Sequence, residues 1–173
     1  MSTTISYDVD GVKAVEHDLL GMEGRLMEPR PVLEAFVDVL QQMMAERFAS
    51  EGEGDWAPLA ASTIERKGSS VVGRETDAMM EALTTAGAEG ALREFFGDEL
   101  IFGVNLTSED GVPYPAIFND GRGADQPARP LFDTEGMDLR PFTKAIQAYI
   151  VGVDRSEFGV GSFGMGATTP FGV

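Results

Sequence analysis

His17 is the only imidazole in the chain, and so the only such group on offer for acid–base or metal chemistry at neutral pH. It lies in a stretch with helical spacing. No Gly-x-Ser-x-Gly turn is present to set a nucleophile beside it, so a surface or half-buried helical side chain is expected there. No cysteine occurs, which excludes disulfides and thiolate-bound metals. With 29 acidic residues a hydrolytic carboxylate pair is arithmetically available, yet no pair stands out by spacing. The acids of Ser50-Glu51-Gly52-Glu53-Gly54-Asp55 read as an exposed, solvated loop. Those from Asn119-Asp120-Gly121 to Asp125 depart from the calcium-loop spacing of an EF-hand. The phosphate-cradling Gly-x-x-x-x-Gly-Lys-Ser/Thr pattern is missing. Gly159, Gly161, Gly164 and Gly166 lack the strand and helix that flank a dinucleotide-binding turn. The residue types point to no catalytic site, no metal and no cofactor.

The chain has 173 residues, enough for one domain with a real core, and a net charge of −16. Gripping duplex DNA takes a cationic face that displaces counterions, so sequence-specific nucleic-acid binding is not expected. Self-repulsion and solubility account for such a charge. A second account is a ring whose bore lets DNA slide without sticking. The apolar runs are far shorter than the ~20 residues that span a bilayer. Met1-Ser2-Thr3-Thr4 lacks the basic-then-apolar layout of a signal peptide, so synthesis in a cytoplasm is expected, with no membrane partner.

Helices and a small sheet must carry whatever the chain does. Ile5, Tyr7 and Val9 alternate with polar neighbours, predicting a strand over 4–9, with Asp10-Gly11 as a turn. Val15, Leu19, Met22 and Leu26 predict a helix over 12–27, weakened by Gly21 and Gly24. Pro29 and Pro31 introduce a long amphipathic helix whose apolar face is Leu33, Phe36, Val37, Leu40, Met43, Met44 and Phe48. Thr76 or Asp77 caps a short helix carrying Met79, Met80 and Leu83, closed near Gly87. Residues 91–104 predict a β-hairpin turning at Gly97-Asp98. A polar loop runs from Leu106 to Pro113, and an irregular aromatic turn over Pro113–Gly121. A flexible tip follows over Gly121–Gln126, then a short edge strand over Pro127–Asp133. A closing helix over 138–151, with Asp138 as cap and Pro141 in its first turn, presents Leu139, Phe142, Ala145, Ile146, Tyr149 and Ile150. The Gly-rich stretch 156–173, with Phe158, Phe163 and Phe171, reads as a tail or as an arm that orders against a neighbouring subunit.

The most distinctive stretch is Gly54–Gly68, which holds the only tryptophan and a basic pair, Arg66-Lys67. Pro58 bars Ala57 from regular helix. Ser62-x-x-Glu65 matches a capping box, and Gly68 suits a left-handed helix end.

Three blocks in order resemble the virion-morphogenesis and tail-completion family of Mu-like and related long-tailed phages. They are Trp56-Ala57-Pro58-Leu59 with Ser62-Thr63-Ile64-x-Arg66-Lys67-Gly68, then Tyr114-x-Ala116-x-Phe118-Asn119-x-Gly121, then Pro127-Ala128-Arg129-Pro130-Leu131. Order and spacing hold over roughly residues 1–152. Asp77 stands where the family often has glycine, and the Gly/Phe-rich tail after 156, within the 153–173 arm, has no counterpart. The resemblance implies an α+β domain over 1–152, with a long amphipathic helix and shorter helices on a small antiparallel sheet. It implies a structural neck (head–tail joining) or tail-completion subunit in the virion, and no reaction. The expected partners are further copies in a ring such as a hexamer, neighbouring neck and tail proteins, and DNA passing through unread. In this reading Trp56, Pro58, Leu59 and Tyr114 anchor the fold. Arg66, Lys67, Arg129, Phe158, Phe163 and Phe171 are candidates for subunit contacts, against intramolecular packing and local salt bridges as the plainer role.

Three other functions stand beside this one. A tail terminator or minor tail protein would keep the phage setting. A small Asp/Glu-dependent hydrolase would need convergent acids in a pocket. An acidic DNA mimic would need acids spaced like phosphates on one face, whereas here they are scattered between apolar positions.

Overall fold

The computed structural model describes residues 9–123, 126–132 and 136–153. The chain is an α+β protein, with six helices and one two-stranded antiparallel sheet among those residues. The first helix, α1 (Val9–Leu26), leads into the long α2 (Arg30–Ala49). Two short helices, α3 (Ala61–Lys67) and α4 (Ala78–Thr84), precede the hairpin of β1 (Ala91–Phe96) and β2 (Glu99–Val104). Next come α5 (Tyr114–Asp120) and α6 (Arg140–Val151). No described helix is long and apolar enough to cross a membrane.

α2 is central because its apolar positions outnumber one stripe. It buries Leu33, Ala35, Val39, Met44 and Phe48, so α4 and the hairpin pack on it, and so does α6. Phe36 and Val37, expected at the centre of the buried face, are half-buried instead, as are Leu40 and Met43. Phe36 meets Phe142 of α6 edge-on at 5.1 Å. The core joins Met44 and Phe48 of α2 to Trp56, Val72, Met79, Leu83 and Leu131.

The hairpin follows its local chemistry. Phe96 pairs with Glu99, leaving Gly97-Asp98 as a two-residue turn, and Gly97 has φ +62° while Asp98 stays at negative φ, as a II′ turn requires. Arg93 then ties the hairpin to α4. Its guanidinium donates to the Ala82 and Leu83 carbonyls at 2.9 and 3.0 Å, satisfying main-chain groups near the C-terminal end of α4. It also lies over the Phe102 ring at 3.7 Å.

Several local expectations give way to tertiary context. Val9 and the Asp10-Gly11 pair lie inside α1 and not in a strand and turn, since Val9, Val12 and Val15 continue the three-residue spacing of the helix. The rest of the expected strand, 4–8, lies outside the described residues. The Ser62 capping box is not formed: α3 starts earlier, its N-terminal N–H groups at Thr63 and Ile64 reaching the Ala60 carbonyl. Gly68 does close α3 in the left-handed region, at φ +72°. Asp77 precedes α4 without capping it, because its carboxylate is held by Arg74 at 2.8 Å. Ser50–Asp55 is a turn with Ser50, Glu53, Gly54 and Asp55 exposed as expected, but Glu51 and Gly52 are tied into the core. Gly52 is buried beneath the Trp56 indole, and the Glu51 carboxylate accepts the Val72 N–H at 2.9 Å. Residues 114–120 form a helix, with Pro115 in the first turn where a missing N–H costs nothing. The described part of 127–133 is not a strand. It lies along α5, with the Arg129 N–H on the Phe118 carbonyl at 2.9 Å.

Candidate functional site

Trp56 is 4% exposed at the end of the turn that follows α2. Phe48 and Phe118 approach its ring edge-on at 5.3 and 5.0 Å. Its indole N–H donates to the Pro130 carbonyl at 3.0 Å, which also accepts from Arg47 Nε at 2.8 Å. Arg129, the residue before, points the opposite way along the same link. Its Nε donates to the Ala57 carbonyl at 2.8 Å and its second terminal nitrogen to the Pro58 carbonyl at 3.2 Å. Two side chains thus cross-brace residues 56–58 and 129–130.

The second sequence block, Tyr114–Gly121, completes the joint. The Asn119 carboxamide oxygen accepts the Leu131 N–H at 2.9 Å. Gly121 has φ +77°, and a Cβ there would fall 2.6 Å from the Ala128 nitrogen, so only glycine lets the two segments approach this closely. Each short motif therefore supplies a contact to the others, although they are separated by up to 74 residues.

Leu59 and Tyr114 pack, half-buried, against the core around Trp56. Burial, and then the nearby Glu89 charge, push the Tyr114 phenol above its ordinary range. The Pro58 ring is exposed, and its link to the joint is its carbonyl. Arg129 is 9% exposed, and burial pulls its pKa down from the ordinary guanidinium value. Its hydrogen bonds among the described residues go to main-chain carbonyls. Arg66 is exposed and meets Glu75 at 3.2 Å, while Lys67 donates to the Val71 carbonyl. Phe158, Phe163 and Phe171 lie outside the described residues.

A cavity of about 470 Å³ opens beside this joint. Leu59, Met79, Ile117 and Phe118 give it apolar walls. Lys67, Arg74 and Arg129 also line it, with Glu75 and Asp77; Arg74 is paired with Asp77, so the mouth holds one more cation than acids on an anionic chain. His17 is elsewhere, on the open surface of α1. Among the described residues no three His, Cys, Asp or Glu side chains gather as a metal site would require.

The part of Arg93 is not readable from the strand pattern, since its partners lie in the preceding helix. The one signal pointing to it is the charged pair Arg93-Glu94 in an otherwise apolar strand. Comparisons with protein-family models, with curated proteins and with solved structures returned no match.

Proposed function

We propose that the chain is a structural subunit of a tailed-phage particle, acting in head–tail joining at the neck or in tail completion. It works by self-assembly into a ring around the DNA channel and by docking to neighbouring proteins, and not by catalysis. One observation carries this reading. The three blocks that create the family resemblance converge on a single joint, with Trp56 and Arg129 bracing 56–58 against 129–130 and Asn119 holding Leu131. Motifs that matched by chance would have no reason to meet.

The charge of −16 suits a bore that passes DNA without retaining it, since the phosphates meet few cations. Inactivating the gene in its phage tests the assignment. Unjoined heads and tails, or tails left incomplete, are expected; normal infectious particles would reject it.

A further inference from the structure

Among the described residues nothing covers the N-terminal half of α1. Every residue from Val12 to Leu20 is exposed, with Val15 at 58% and Leu19 at 59%. Its main packing among the described residues is on α6, where Arg25 Nε donates to the Ile150 carbonyl at 2.8 Å. Yet Val12, Val15, Leu19, Met22 and Leu26 follow steps of three, four, three and four, the narrow seam of a helix that packs on another element. An 18-residue helix containing Gly21 and Gly24 is at best marginal alone in water. Glu16, Asp18 and Glu23 flank the seam.

The groove between α3 and α5 has the complementary character. Its walls are largely apolar, and Lys67 and Arg74 stand at its edge with the exposed Arg66 one residue away; Arg74 is paired with Asp77 and Arg66 with Glu75, so three cations there outnumber two acids. Arg129 lines it with a guanidinium that among the described residues meets carbonyls and no carboxylate. A largely buried cation that meets no carboxylate among the described residues favours an incoming anion.

We propose that α1 of one copy docks through its Val12–Val15–Leu19 seam into the α3–α5 groove of a second copy. The carboxylates of Glu16, Asp18 and Glu23 face Arg66, Lys67 and Arg74. This deepens the ring assignment and rests on it for the existence of neighbouring copies. Helix and groove are different surfaces, so the contact is head-to-tail and repeats around a ring, or along a filament if the rotation does not close. A parallel α1–α1 pair is disfavoured, because the acids flanking each seam would face one another.

The chain has no cysteine, so introduced thiols report alone. Full-length Val15→Cys and Thr63→Cys proteins, mixed and oxidised, should give a disulfide-linked mixed dimer, while neither alone does. Arg66→Glu with Lys67→Glu on the Thr63→Cys protein should cut its yield at least tenfold. Glu16→Lys with Glu23→Lys on the partner should restore it, with circular dichroism confirming that each variant is folded. Absence of the mixed dimer, a Val15→Cys dimer formed equally well alone, or failure of the reversed pair to rescue would each overturn the contact. Particles that contain the protein while the mixed dimer fails would remove the contact and leave the virion assignment standing. A mixed dimer from a chain absent from particles would do the reverse.

Discussion

The indole N–H of Trp56 and the carbonyl of Pro130 are joined across 3.0 Å and 74 residues of sequence. Trp56→Phe keeps a ring among Phe48 and Phe118 but leaves that carbonyl short of one donor, a change expected to cost about 1–2 kcal/mol. Trp56→Ala also empties the ring's place in the core and should cost about 3–5 kcal/mol. Urea unfolding of the two variants checks the order: a Trp56→Phe protein as stable as the parent would show that the hydrogen bond carries nothing, and equal losses that the ring's packing adds nothing to it.

Arg129 braces the same joint from the other side. Arg129→Met keeps the stem and removes charged donors from the Ala57 and Pro58 carbonyls. A destabilisation of about 2–4 kcal/mol is expected, from hydrogen bonds worth ~1.5–3 kcal/mol each when charged and partly compensated by water. Arg129→Lys should fall between, because one ammonium does not reproduce the two-pronged fork. A lysine variant no better than the methionine one would argue against this geometry.

Gly52 and Gly54 make a matched pair in one turn, both at positive φ. A Cβ on Gly52 would lie 2.4 Å from the Trp56 ring, whereas one on Gly54 meets nothing within 4 Å. Gly54→Ala should cost the backbone strain alone, roughly 1 kcal/mol. Gly52→Ala should cost clearly more and shift the tryptophan emission. Indistinguishable variants would place the indole elsewhere.

Acid should act on the start of α6. Asp138 accepts the Arg140 guanidinium at 2.8 Å and its main-chain N–H at 3.0 Å, which lower its carboxyl pKa to about 2. A depressed carboxyl pKa contributes stability that is present above the unfolded value near ~3.9 and lost as pH falls through the folded one. Between about pH 4 and pH 2 the first turn of α6 should loosen. An NMR titration of Asp138 should give a midpoint near 2, and one near 4 would mean that the pair does not form.

Gly24 offers a test of α1. Nothing lies within 4 Å of a Cβ built there, so Gly24→Ala should stabilise the helix by about 1 kcal/mol. Amide exchange over 12–26 should slow by up to about fivefold. Unchanged exchange would mean that α1 is held by something other than its own propensity.

The long helix, the hairpin and the closing helix were legible because their signals are local: periodicity, a Gly-Asp turn, a proline in a first turn. α5 was hidden by Pro113 and Pro115, which read as irregular although Pro115 sits where a helix tolerates it. The Pro-Ala-Arg-Pro segment looks extended, but its partner is α5 and not the sheet. Trp56 stands out by composition. Arg129's use of the Ala57 and Pro58 carbonyls, about seventy residues distant, has no local signal at all. The α1 stripe was visible, and its exposure among the described residues was not.

The most direct test of the proposed virion assignment is a symmetry-aware reconstruction of the neck and upper tail of particles from the tailed phage proposed to encode this chain. The account predicts a ring of copies around the tail axis, with α1 of each in the α3–α5 groove of the next. Particles that lack the protein, or that carry it in a single copy away from the axis, would contradict it.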